Sequence, residues 1–169
     1  MKNTREITIL SMLLAIAIVL NVIEMQINII PVPGAKIGFA NIVTVIVLYM
    51  YGFRKASLVT LLRVLIVALL YRSFTITFWM GLGGAVSSIL VMGILKHWFK
   101  IHTITVSVLG AITHTVGQVV VAMVLSQTEL LILYLPLMLL ISVPAGILTG
   151  IIADRFLKSF SHVAKVKSY

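Results

Sequence analysis

Residues 103–125, TITVSVLGAITHTVGQVVVAMVL, form a run of 23 residues without a single Asp, Glu, Lys or Arg. A helix of about 20 apolar residues is long enough to cross the hydrocarbon core of a bilayer. The whole chain of 169 residues has this character, because 61% are apolar, 10% are charged and the mean hydropathy is +1.19. Soluble domains carry about 25% charged residues. We therefore expect an all-α integral membrane protein and exclude disordered, coiled-coil and nucleic-acid-binding proteins.

Charges and loop residues divide the chain into six apolar segments, which predict a single domain, residues 1–169, built as a six-transmembrane-helix bundle. The first segment continues past the signal-peptide-like Ala15-Ile16-Ala17, so we interpret it as a retained helix. Residues 156–169 are predicted to form a basic cytoplasmic tail. The predicted spans are Ile7–Ile29, Ile37–Tyr51, Ala56–Tyr71, Thr75–Leu95, Thr103–Leu125 and Leu130–Ile152.

The distribution of basic residues predicts the orientation of this bundle. If the N-terminus is cytoplasmic, ten of the 13 Lys and Arg residues lie on the inside, two (Lys36 and Arg72) lie outside, and Arg63 lies within a span. Cytoplasmic loops of membrane proteins carry an excess of Lys and Arg. We therefore predict a multi-pass protein of the cell membrane with both termini in the cytoplasm.

The sequence offers little to support catalysis or metal binding. It has no cysteine, and therefore no thiolate ligand or cysteine nucleophile. Haem ligation by His114 and a second histidine is disfavoured, because the other three histidines fall in a predicted turn or in the tail. We expect a protein without enzymatic activity and without a metal site. Its four acidic residues are scattered over different loops and ends: Glu6, Glu24, Glu129 and Asp154.

Polar side chains inside the spans are candidates for a binding site, because a polar group in hydrocarbon needs a partner. Arg63 lies roughly 10 Å from the cytoplasmic end of its span, and Glu24 lies roughly 25 Å along the first helix. The Arg63 guanidinium binds an anionic ligand in one interpretation; in the other it reaches the interface or bonds helix-end carbonyls.

Three further pairs share helix faces: Asn21 with Glu24, Asn41 with Thr44, and His114 with Gln118. As a set, these groups favour a small-molecule pocket near the external loops, although hydrogen bonds between helices are the alternative for each one. The predicted substrate-binding residues are Glu24, Lys36, Asn41, Arg63, His114 and Gln118.

Small residues on the first helix suggest a surface for close helix contact. Ser11 and Ala15 are four residues apart and therefore lie on one face. They are interpreted either as a docking face for another membrane protein or as internal packing.

The run from Pro33 to Ile42, PGAKIGFANI, resembles the P-G-x-K-x-G-x-A-N signature of the Gx transporter family, also called heptaprenyl diphosphate synthase component I. The resemblance extends over most of the chain, through 62–65, Gly83-Gly84 and the segment around His114. One position departs from the family pattern, because Thr115 stands where an asparagine is expected after the histidine.

The resemblance implies a bundle like the substrate-binding S-components of energy-coupling-factor transporters. Those subunits bind a small molecule from the outer side, beneath the loop between the first two helices. They dock through small residues of the first helix, here matched by Ser11 and Ala15, on a transmembrane scaffold driven by ATPases. The synthase name implies prenyl diphosphate chemistry, which needs aspartate-rich magnesium sites, whereas this chain has one aspartate, Asp154.

Members of the family also resemble a membrane component of flavin-based extracellular electron transfer, which works beside a quinone-reducing dehydrogenase. Three hypotheses follow. The first is a membrane subunit that binds a small anionic or amphipathic molecule for transport. The second is an electron-transfer subunit with partner proteins and a flavin or quinone in the same pocket. The third is an assembly partner without a ligand.

Overall fold

The computed structural model describes residues 2–26, 38–71, 74–99 and 101–164. These residues form helices and no strand, which confirms the predicted all-α class. Two short segments of other helix types, a π-helix at Leu95–Phe99 and a 3-10 helix at Glu129–Tyr134, extend α4 and precede α6. The α-helices are α1 Lys2–Gln26, α2 Phe39–Tyr51, α3 Phe53–Leu70, α4 Ile76–Ile94, α5 Thr103–Ser126 and α6 Leu135–Ala164.

Four helical stretches among the described residues are long and apolar enough to cross a membrane: Thr4–Gln26, Ile76–Phe99, Thr103–Ser126 and Glu129–Phe160. At 1.5 Å per residue, the 13 residues of α2 extend only about 20 Å. The 18 residues of α3 include three basic ones, at positions 54, 55 and 63. The membrane class is therefore supported, and six crossings remain a prediction.

The short helix α2 lies at the centre of the core. Every residue from 42 to 48 is buried, and Val45, Val47 and Leu48 are fully inaccessible. A helix that is apolar on all sides is typically buried among neighbouring helices. A single residue, Gly52, connects α2 to α3 with a positive φ of 87°, and its N–H donates to the Leu48 carbonyl at 3.1 Å. These features explain why so short an apolar segment forms a helix.

Glycines let α4, α5 and α6 pack closely. A methyl group at Gly150 would lie 2.8 Å from the Cα of Ile104, so the backbones of α6 and α5 nearly touch there. The buried hydroxyls of Ser107 and Thr149 are hydrogen-bonded across the same interface at 2.9 Å. Small residues of this kind permit close helix approach in membrane proteins. The three helices α4, α5 and α6 are therefore tightly packed against one another.

Charged side chains join the helices at the end of the bundle where α2 ends and α3 begins. Lys96 donates from Nζ to the Leu48 carbonyl at 2.6 Å and so caps the C-terminus of α2. An ion pair between Glu6 and Lys55 links the starts of α1 and α3. In α6, Lys158 pairs with Asp154 at 2.7 Å.

Candidate functional site

A cavity opens at the opposite end of the bundle, where α1 and α3 end and α2 and α4 begin. Its volume is about 100 Å³, and all six α-helices contribute to its wall. This volume accommodates several water molecules or a small organic molecule. Five of the six predicted site residues line it: Glu24, Asn41, Arg63, His114 and Gln118. Lys36 lies outside the described residues.

Arg63 is the most informative of these residues. Only 4% of it is exposed, so its side chain does not extend to the surface. Its Nε and Nη1 atoms are buried and have no hydrogen-bond partner among the described residues. These two nitrogens therefore neither reach the membrane–water interface nor bond a carbonyl at a helix end in the described part of the chain. A buried guanidinium without its hydrogen bonds is energetically costly, which makes this residue a strong candidate for binding.

Glu24 connects the end of α1 to the start of α2. The backbone N–H of Gly38 donates a hydrogen bond to its Oε1. Gly38 has a φ of 84°, a left-handed conformation that glycine adopts without strain, and this conformation begins α2. Although the count along the helices separated Glu24 from Arg63 in depth, both residues line the cavity.

Asn21 lies one turn before Glu24 on the same face, as the spacing predicts. Its Oδ1 atom is buried and has no hydrogen-bond partner among the described residues. Thr44, which the sequence paired with Asn41, instead shares a buried hydrogen bond of 3.1 Å with the hydroxyl of Thr60. For Thr44 the alternative of bonding between helices is therefore the correct one.

His114 and Gln118 lie one turn apart on α5, where α4 packs against them. A methyl group at Gly84 of α4 would lie 2.7 Å from the Gln118 Cγ and 2.8 Å from the His114 carbonyl oxygen. The glycine therefore allows the close approach that brings both side chains to the cavity. Thr115, the residue that departs from the family pattern, is buried and also lines the wall.

The contribution of α6 and the apolar lining were not predicted from the sequence. Ser142 and Thr149 are buried, line the cavity, and stand seven residues apart, which is the spacing of two turns on one helix face. The seven-residue spacing could have indicated that both hydroxyls face one site. Most of the remaining wall is apolar and includes Val64, Val67, Phe78, Met138 and Ile141. Within the described part of the chain, no group of three or more His, Asp or Glu residues is placed to hold a metal ion.

Comparison with known proteins gives one match. Neither the curated proteins nor the solved structures contain a match to the chain. A family model described as heptaprenyl diphosphate synthase component I matches residues 13–156, a range that includes the six predicted site residues. The matched range covers most of the chain. The chain therefore belongs to the heptaprenyl diphosphate synthase component I family.

Proposed function

We propose that the chain is a membrane-embedded substrate-binding subunit, similar to an S-component, that takes a small anionic or amphipathic molecule into the cavity. The observation that carries this proposal is the Arg63 guanidinium, buried in the cavity wall with two nitrogens lacking hydrogen-bond partners among the described residues. An anionic group bound there would supply the missing acceptors.

The composition of the wall agrees with an amphipathic ligand. Small-molecule sites are mostly apolar, with a few polar groups that fix the orientation of the ligand. In this cavity, apolar side chains of α3, α4 and α6 surround a few polar ones. In our proposal, Arg63 supplies charge, Asn41, His114 and Gln118 supply hydrogen bonds, and Glu24 contacts the ligand near the mouth. Lys36, which precedes α2 in the sequence, would add a second positive charge.

Docking on a transmembrane scaffold driven by ATPases is part of the same proposal. Ser11 and Ala15 are exposed on α1, whereas Leu13 and Ala17 of that helix are buried in the core. The exposure of both small residues supports an external contact rather than internal packing for this face.

We also propose six membrane crossings with both termini in the cytoplasm. Because the chain has no cysteine, single cysteines report accessibility without background. Arg54 and Gln127 are exposed and belong to opposite ends of the bundle. In intact cells, a membrane-impermeant maleimide should label Q127C and should label R54C only after the membrane is opened. Labelling of both from the same side would contradict this topology.

Native mass spectrometry of the protein, extracted gently from its own membrane, tests ligand binding. We expect a bound small molecule on the wild-type protein and an affinity about 5- to 30-fold lower on Gln118→Leu, because the lost hydrogen bonds contribute about 1–2 kcal/mol. Gln26→Leu, an exposed change near the end of α1, is the matched control and should retain the ligand. A wild-type protein with no adduct would contradict the proposal.

The same preparation addresses the electron-transfer alternative. A flavin or quinone in the cavity would make the protein an electron-transfer subunit with its own partner proteins. The absorbance spectrum and adduct mass of a flavin or quinone would favour this alternative. A colourless adduct of another mass would favour the transport subunit.

A further inference from the structure

The charges around the cavity narrow the kind of molecule it accepts. The described part of its wall carries one guanidinium, Arg63, and one carboxylate, Glu24. They lie on different helices, α1 and α3, and line the same cavity. From this pairing, we infer that the ligand is a small zwitterion of the amino-acid class, with an anionic group, an ammonium group and an apolar body. This inference rests on the proposed function and makes its ligand class more specific.

A purely anionic ligand fits only half of this arrangement. Its negative charge would compensate Arg63 but would also be brought near the Glu24 carboxylate, and like charges repel each other. A purely cationic ligand would meet the same difficulty at Arg63. A molecule that carries both charges satisfies the guanidinium and the carboxylate together.

A second acceptor lies beside Glu24. The Oδ1 atom of Asn21, one helical turn away on α1, is buried without a hydrogen-bond partner among the described residues. A carboxylate and an amide oxygen are suitable acceptors for an ammonium group, which has three N–H donors. The Gly38 N–H that donates to Glu24 fixes the carboxylate in place.

The surface of the cavity agrees with an amino acid, because the apolar side chains of Val64, Val67 and Met138 provide a surface for a hydrocarbon side chain.

Thermal unfolding of the full-length protein in detergent, with three matched pools of probes, tests the inference. The pools contain the standard amino acids, the amines obtained by removing their carboxyl groups, and the carboxylic acids that lack their amino groups. We expect the amino-acid pool to raise the unfolding temperature, with apparent affinity at least about tenfold higher than that of either other pool. This ratio corresponds to the loss of one charge-assisted hydrogen bond. Glu24→Gln should remove the preference for amino acids over the carboxylic acids.

The possible failures are distinguishable. Equal or greater stabilisation by the carboxylic acids would overturn the zwitterion and leave an anion-binding subunit. Equal stabilisation by the amines would overturn it as well. If no pool has an effect while native mass spectrometry detects an adduct, the ligand class is wrong and the proposed function stands. If no adduct is detected either, both are wrong.

Discussion

Replacing Arg63 by methionine is expected to stabilise the ligand-free protein and to abolish ligand retention. The guanidinium is 4% exposed, and two of its nitrogens have no partner among the described residues, so removing it relieves the cost of burying a charge. Each buried donor that lacks a hydrogen bond costs about 1–3 kcal/mol, and methionine carries no such donor. Glu24 keeps its hydrogen bond from Gly38 in the variant. The ligand, however, loses its principal charged partner, and its affinity should fall about 100-fold.

Thermal unfolding with and without the co-purified ligand measures both effects, since a ligand that binds only the folded state raises its apparent stability. Arg54→Met is the matched control, because Arg54 is exposed on the same helix. Arg54→Met should change neither the stability of the ligand-free protein nor the retention of the ligand appreciably. A destabilised R63M protein that still retains its ligand would show that Arg63 is a structural residue, and the proposed site would be wrong.

Alanine at Gly84 is expected to destabilise the bundle and to weaken binding. The added methyl group would lie 2.7 Å from the Gln118 Cγ and 2.8 Å from the His114 carbonyl oxygen, so α4 and α5 must separate. Inserting a methyl group into a closely packed interface costs about 1–3 kcal/mol. Because both neighbouring residues line the cavity, their displacement should also lower the affinity for the ligand. Equilibrium unfolding and native mass spectrometry report the two effects.

Gly81 provides the control for this substitution. It lies one turn earlier on α4 and also lines the cavity, but a methyl group there would meet nothing within 4 Å. Gly81→Ala should be neutral or slightly stabilising, because alanine favours a helix over glycine by about 1 kcal/mol. Equal destabilisation by both substitutions would mean that close packing against α5 is not the reason for Gly84.

The sequence was sufficient to predict the helical class because apolar runs longer than a bilayer core leave little alternative. It was less accurate at helix ends. The last span was predicted at Leu130–Ile152. In the structure, α6 begins later, at Leu135 after a 3-10 helix, and ends later, at Ala164. Charges such as Asp154 and Lys158 predict where an apolar span ends. They do not end a helix, because side chains four residues apart, such as these two, can pair along its surface.

The site residues that could be predicted are those of types that are rare in membrane-spanning helices. Arg63 and Glu24 are conspicuous because charges are rare in spans. Ser142 and Thr149 were missed because hydroxyls are common in membrane helices, where they bond within the helix as readily as they line a cavity. The meeting of Glu24 and Arg63 at one cavity depends on how α1 packs against α3. Helix rise alone does not contain that information.

A crystal structure of the protein purified gently from its own membrane tests the central claim most directly. The account predicts non-protein density in the cavity, with an acceptor atom within hydrogen-bonding distance of the Arg63 guanidinium and the side chains of Asn41, His114 and Gln118 around it. A cavity that holds only water, or an Arg63 whose nitrogens are all bonded to the protein itself, would contradict it.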